Sequence, residues 1–164
     1  MPEILRREDG ERGDADEKTN KVVVFIVGKE YFALPVEALA EIYRSQDITP
    51  VPLAPRFLTG VVSVHGQLAS VLSLAGMLGA EKENQKGLLL ILTPKYGGVA
   101  LLVEKTTGFS SYATLEEVAV EQAAEGDSLH FVEGVFRDEG TLVTLINPEK
   151  LRIWIDHEFS KEEE

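Results

Sequence analysis

The side chains of this chain that could do chemistry are three histidines, His65, His130 and His157, and a surplus of carboxylates, 28 Asp and Glu against 16 Lys and Arg. None of the histidines has a second histidine or a carboxylate at metal-ligand spacing, and no HExxH occurs. The chain has no cysteine, so it offers neither a thiolate ligand nor a thiol nucleophile. The nucleophile motif GxSxG and the phosphate loops GxxxxGK[ST] and GxGxxG are also missing. The residues therefore point to no catalytic group, no metal and no cofactor. His65 stands apart from the other two because glycine follows it in an apolar, alternating stretch, the setting of a hairpin tip.

That stretch, Thr59 to Leu74, reads as two strands around a glycine turn. Val62, Val64, Leu68, Leu72 and Leu74 fall on one face if the turn holds three residues, His65, Gly66 and Gln67. Upstream, Lys21–Val27 and Glu30–Leu34 flank the turn Gly28-Lys29 and form a first hairpin. Pro35 fits the first position of a short helix over Val36–Glu41, with Val36, Leu39 and Ala40 on one face. Three prolines, Pro50, Pro52 and Pro55, make Arg44–Arg56 an ordered connection. Ala75–Gly79 makes one helical turn, and polar residues 80–86 form a joint between lobes. Gly87–Leu92 is a strand buried on both faces, and it returns through Thr93–Gly97 into Gly98–Val103. Leu129–Phe136 and Thr141–Ile146 flank a turn at Arg137–Gly140. Asn147 caps a helix opened by Pro148, with Leu151, Trp154 and Ile155 on its buried stripe and Glu158–Glu164 fraying into solvent. Short strands in hairpins with few helices predict an all-β fold of barrels or a sandwich.

Composition narrows the partners. The chain has 164 residues, 44% of them hydrophobic, enough for one compact domain or two small lobes packed together. A net charge of −12 with no basic run disfavours nucleic acid and an anionic membrane surface. The longest apolar run, Leu88–Leu92, cannot span a bilayer, and the first twenty residues lack the apolar stretch of a signal peptide, so a cytoplasmic protein without direct membrane insertion is expected. Residues 1–20 read as a disordered acidic tail, 21–156 as the folded domain and 157–164 as a second acidic tail. The acidic stretch Thr114–Asp127 reads as a solvated loop.

The segment Gly60-Val-Val-Ser-Val-His-Gly-Gln-Leu-Ala-Ser-Val-Leu-Ser-Leu74 resembles the hairpin signature of the CheW family, the coupling proteins of bacterial chemosensory arrays. The resemblance extends through Val24–Val36, Glu41-Ile42, Val51-Pro52 and Pro55, then Phe131–Val135 and Thr144–Leu151, covering roughly residues 21 to 152. It implies two small five-stranded barrels of the SH3 type packed side by side, with a groove between them. It also implies a non-enzymatic adaptor joining the regulatory domain of a CheA-type histidine kinase, itself a double barrel, to the cytoplasmic tip of methyl-accepting chemoreceptors. By that resemblance, Gly60 and Val61 are candidates for the kinase contact, and Leu39, Glu41, His65, Gly66 and Leu88 for the receptor groove. Leu39 and Leu88 read equally as core residues, and the two glycines as turn formers.

The chain departs from the family at three positions: His65 replaces an arginine, Ser70 a proline and Ser73 an aspartate. Histidine lacks arginine's permanent charge and planar fork, so a bidentate contact cannot persist unchanged. Glu41 is expected to approach His65 and orient the loop. Two other readings stay open on the residues: an adaptor in a chemosensory pathway controlling twitching motility or development, and a double barrel that binds a small ligand in its groove.

Overall fold

The computed structural model describes residues 20–44, 47–77, 87–116 and 130–162. Within them run ten strands: β1 (Asn20–Val27), β2 (Glu30–Pro35), β3 (Leu39–Arg44), β4 (Leu58–Val64), β5 (Gln67–Ser73), β6 (Leu88–Leu92), β7 (Ala100–Val103), β8 (Lys105–Tyr112), β9 (Val132–Asp138) and β10 (Thr141–Ile146). Two helices, α1 (Leu74–Met77) and α2 (Pro148–Glu162), follow β5 and β10. The strands form two five-stranded sheets, ordered β8-β1-β2-β10-β9 and β3-β6-β7-β5-β4. Each curls as an SH3-like barrel around its own core, and the fold is all-β as expected. The joint at residues 80–86, the first nineteen residues and the acidic stretch from 117 onward lie outside the described residues.

Three apolar cores account for the pattern of the sequence. Strand residues alternate sides, so Val22 and Val24 enter the core of the first barrel while Val23, Phe25 and Val27 enter a core shared by both. β6 and β7 divide the same way: Leu89, Ile91, Ala100 and Leu102 line the second barrel, and Leu90, Leu92, Leu101 and Val103 face the shared core. That is why β6, β7 and residues 22–27 of β1 are apolar at every position.

The two barrels repeat one another. In both sheets the central strand pair is parallel, β10 with β2 and β5 with β7. The hairpins β4–β5 and β9–β10 match residue for residue, the second lying 74 positions further on. Phe57 and Phe131 each accept a 2.8 Å backbone hydrogen bond, from Ser73 and Asn147 respectively. Ser73 and Asn147 then cap α1 and α2 through their side chains, each at 3.0 Å. The turns also match: His65 and Gly66 have φ of 53° and 80°, Glu139 and Gly140 of 54° and 88°. Yet the halves are exchanged, since β1 and β2 lie in one sheet with β8–β10, and β6 and β7 lie in the other with β3–β5. The repeat ends at α2, whose Trp154 packs edge-on against both Phe57 and Phe131 at centroid distances of 5.2 and 5.6 Å.

Several elements differ from those read in the sequence. Val36–Glu41 is not a helix: a 3-10 turn spans Val36–Ala38, and Leu39 is already extended as the start of β3. The apolar spacing there serves a strand with a bulge at Ala40, where the pairing with β6 skips a residue. The β4–β5 turn holds two residues, since Val64 pairs with Gln67. Positive φ at both His65 and Gly66 makes it the primed type that suits twisted strands. The shorter turn moves Leu68 to the outer face, 76% exposed, whereas Val62 lines the second barrel and Leu72 and Leu74 the shared core. β8 is an additional strand, and α2 continues to Glu162 because Phe159 packs on Phe57 at 5.4 Å.

Gly60 and Gly134 occupy matching places where a passing segment bridges the hairpin's outer edge. Thr49 and Val61 exchange two 2.9 Å backbone bonds, as Glu116 and Val135 do at 2.8 and 3.0 Å. A Cβ on Gly60 would strike the carbonyl oxygen of Thr49 and lie 2.8 Å from its carbonyl carbon. Gly60→Ala should therefore cost about 1–3 kcal/mol in denaturant unfolding, while Leu68→Ala should stay within about 0.5 kcal/mol of the parent protein. Equal effects of the two would contradict this packing.

Candidate functional site

The feature that distinguishes the two barrels sits at the open edge of the second. β3 and β4 are the outer strands of that sheet, and the β4–β5 turn carries His65 across to β3. There the His65 Nε2 lies 2.9 and 3.1 Å from the two carboxylate oxygens of Glu41 and 2.6 Å from the hydroxyl of Tyr43. The Tyr43 and His65 rings meet edge-on at 5.8 Å. Strand geometry explains the convergence: Glu41 and Tyr43 are two residues apart and share the face of β3 that pairs with Ile91 and Leu89.

The hydrogen positions follow from the acceptor. A carboxylate only accepts, so Nε2 carries the hydrogen and donates it to Glu41. The hydroxyl of Tyr43 also donates to Glu41. That bond holds the Glu41 carboxyl below the usual carboxylate range, with the nearby His65 adding to the effect against a smaller cost of burial. The same bond, with burial behind it, raises the Tyr43 phenol.

The other candidate residues separate. Leu39 and Leu88 are half-buried and pack on the shared core. Leu88 also lines a groove of about 570 Å³ with Ile42, Tyr43, Arg44, Glu104 and Lys105. Ile42 and Arg44 alternate along β3 with Glu41 and Tyr43, and Tyr43 lines the groove as well as the polar cluster. The groove and the polar cluster thus adjoin at Tyr43 on one sheet edge. Gly66 completes the turn beside His65. Gly60 is buried beneath Thr49, and its surface place is taken by half-buried Val61, which shares the outer face of the hairpin with Leu68. Tyr43 escapes the sequence reading because the segment around it resembles a helix end. Read as a strand, the alternation Glu41-Ile42-Tyr43 places both polar groups together.

The first barrel has no such cluster. The positions matching Glu41, Tyr43 and His65 in its register hold Gly108, Ser110 and Glu139. Closing a barrel of this shape therefore does not require the contact. Among the described residues, no group of three or more His, Asp or Glu could hold a metal ion, and no helix is long and apolar enough to cross a membrane. Because the Tyr43 hydroxyl stabilises the charged form of Glu41, Tyr43→Phe should raise the Glu41 pKa in a carbon-detected NMR titration. The cluster is intact while Glu41 is ionised and weakens as pH falls through its depressed pKa. An unchanged Glu41 value in Tyr43→Phe would contradict the assigned bond.

Comparison with known proteins agrees with the fold. The chemotaxis protein CheW of Helicobacter pylori is 23% identical over 146 residues, covering 87% of each chain. The chemotaxis protein CheW of Thermotoga maritima is 29% identical over 92 residues, 56% of this chain and 61% of that one. The crystal structure of the scaffolding protein TtCheW from Thermoanaerobacter tengcongensis superimposes with a TM-score of 0.65 at 20% identity, covering 78% of this chain and 88% of that one. The CheW-like domain model matches residues 21–153, and the chain belongs to that family.

Proposed function

We propose that this protein is a non-enzymatic cytoplasmic adaptor that couples methyl-accepting chemoreceptors to a CheA-type histidine kinase in a chemosensory array. The observation that carries this reading is an asymmetry within a symmetric fold. Two barrels of one design share a core, yet among the described residues only the second carries the polar cluster of Glu41, Tyr43 and His65, beside a groove lined by Ile42, Tyr43 and Leu88 and by the charged Arg44, Glu104 and Lys105. An asymmetric scaffold of this kind suits holding two different partners at fixed geometry.

In this reading the related barrel of the kinase's regulatory domain packs on the outer face of β4–β5, where Val61 and Leu68 lie. The receptor's helical hairpin lies along β3, meeting Leu39 and Leu88 from the groove side and Glu41, His65 and Gly66 from the cluster side. A change in receptor state reaches the kinase because both press on one packed body, and no chemistry in the adaptor is needed.

Calorimetric titration with the regulatory domain of the CheA-type kinase encoded nearest to this chain tests the reading. Micromolar binding is expected, weakened at least about tenfold by Leu68→Asp, which alters an exposed side chain without entering a core. No binding to any such kinase of the same genome would overturn the proposal.

A further inference from the structure

We infer that His65 makes this edge select a partner group that donates hydrogen bonds, a lysine or arginine side chain, in preference to an acidic one. The inference rests on the adaptor reading for its partner but on this chain's own atoms for its chemistry. Both oxygens of the Glu41 carboxylate lie within 3.1 Å of Nε2, so a lone pair there would face an anion. The hydrogen of the neutral ring therefore sits on Nε2, and Nδ1 keeps its lone pair. Nδ1 has no partner among the described residues, and the side chain is 68% exposed.

The Tyr43 hydroxyl does not change the outcome. Its hydrogen goes to Glu41, leaving its oxygen against the Nε2–H at 2.6 Å. What the cluster turns toward a partner is then all acceptor, the Nδ1 lone pair and the free lone pairs of Glu41, under a single negative charge. An arginine at position 65 would cancel that charge and present spare donors, the opposite recognition chemistry. The groups facing His65 from β3 are Glu41 and Tyr43. Its chain neighbours on β4 and β5, Val64 and Gln67, are uncharged.

Two NMR measurements on the full-length protein test this. Long-range proton–nitrogen correlation, recorded where the His65 ring is neutral, should show its hydrogen on Nε2, and a hydrogen on Nδ1 would overturn the assignment. Titration under the same conditions with N-acetyl-arginine methylamide and with N-acetyl-glutamate methylamide, read on the Gly66 amide and Tyr43 ring signals, should favour the arginine probe by about fivefold. The preference should disappear in His65→Arg. Equal response, preference for the glutamate probe or no response to either would each sink the proposal. Neither probe involves the kinase or a receptor, so loss of kinase binding in calorimetry would reject the adaptor reading and leave this result standing, and the converse also holds.

Discussion

A strand that is apolar at every position must be covered on both faces, and this requirement organises the molecule. β1, β6 and β7 each send one set of side chains into a private barrel core and the other set into the core between barrels. The shared core holds Phe25, Leu34, Leu72, Leu90, Leu101 and Phe131, all at or near zero exposure. A barrel of about 60 residues is marginal alone, and here neither barrel is a continuous piece of chain. The hairpin β1–β2 completes the sheet of the second half, and β6–β7 completes the sheet of the first. Unfolding either barrel would strip the common core from the other.

That arrangement also explains how an exposed cluster can have definite geometry. His65 sits on a two-residue turn, and the hairpin below it is fixed from both sides, by the inward residues Val62, Ala69 and Val71 and by the Thr49 bridge at its edge. Its partners on β3 are fixed by pairing with β6, one of the doubly covered strands. The matching turn in the first barrel has the same backbone and a different inventory, Glu139 with no facing carboxylate and phenol. Backbone symmetry thus serves the fold, and the two turns differ in the side chains they carry.

Much of this was legible in the sequence because the strands announce themselves by unbroken or alternating apolar runs. The hairpins β1–β2, β4–β5, β6–β7 and β9–β10 and the capped helix α2 all lie where the pattern put them. β8 was hidden: its residues Lys105-Thr-Thr-Gly-Phe-Ser-Ser-Tyr112 are mostly small and polar, and alternation shows only in the burial of the finished barrel. β3 was hidden by the opposite fault, since a bulge at Ala40 gives a strand the apolar spacing of a helix. The sequence pattern makes the turn at His65 one residue too long, because it counts Leu68 as core although Leu68 lies on the outer face. The repeat itself survives in the sequence as five identical pairs, Phe57 and Phe131, Gly60 and Gly134, Val61 and Val135, Gly66 and Gly140, Leu68 and Leu142, with the remaining side chains of the hairpin diverged. Pairing of Glu41 with His65 depends on residues 24 positions apart meeting across a sheet edge, which no local pattern records.

The claim on which the rest stands is that the two exchanged barrels form one cooperative unit through their shared core. Native-state hydrogen exchange on Leu101→Ala tests it most directly, since Leu101 is fully buried in that core and belongs by sheet to the second barrel. The cavity should cost about 2–5 kcal/mol, and the slowest amides of β1, β2 and β10 should lose protection by the same free energy as those of β5, β6 and β7. Loss confined to the second sheet, with β1, β2 and β10 exchanging as before, would show two independent barrels and contradict the account.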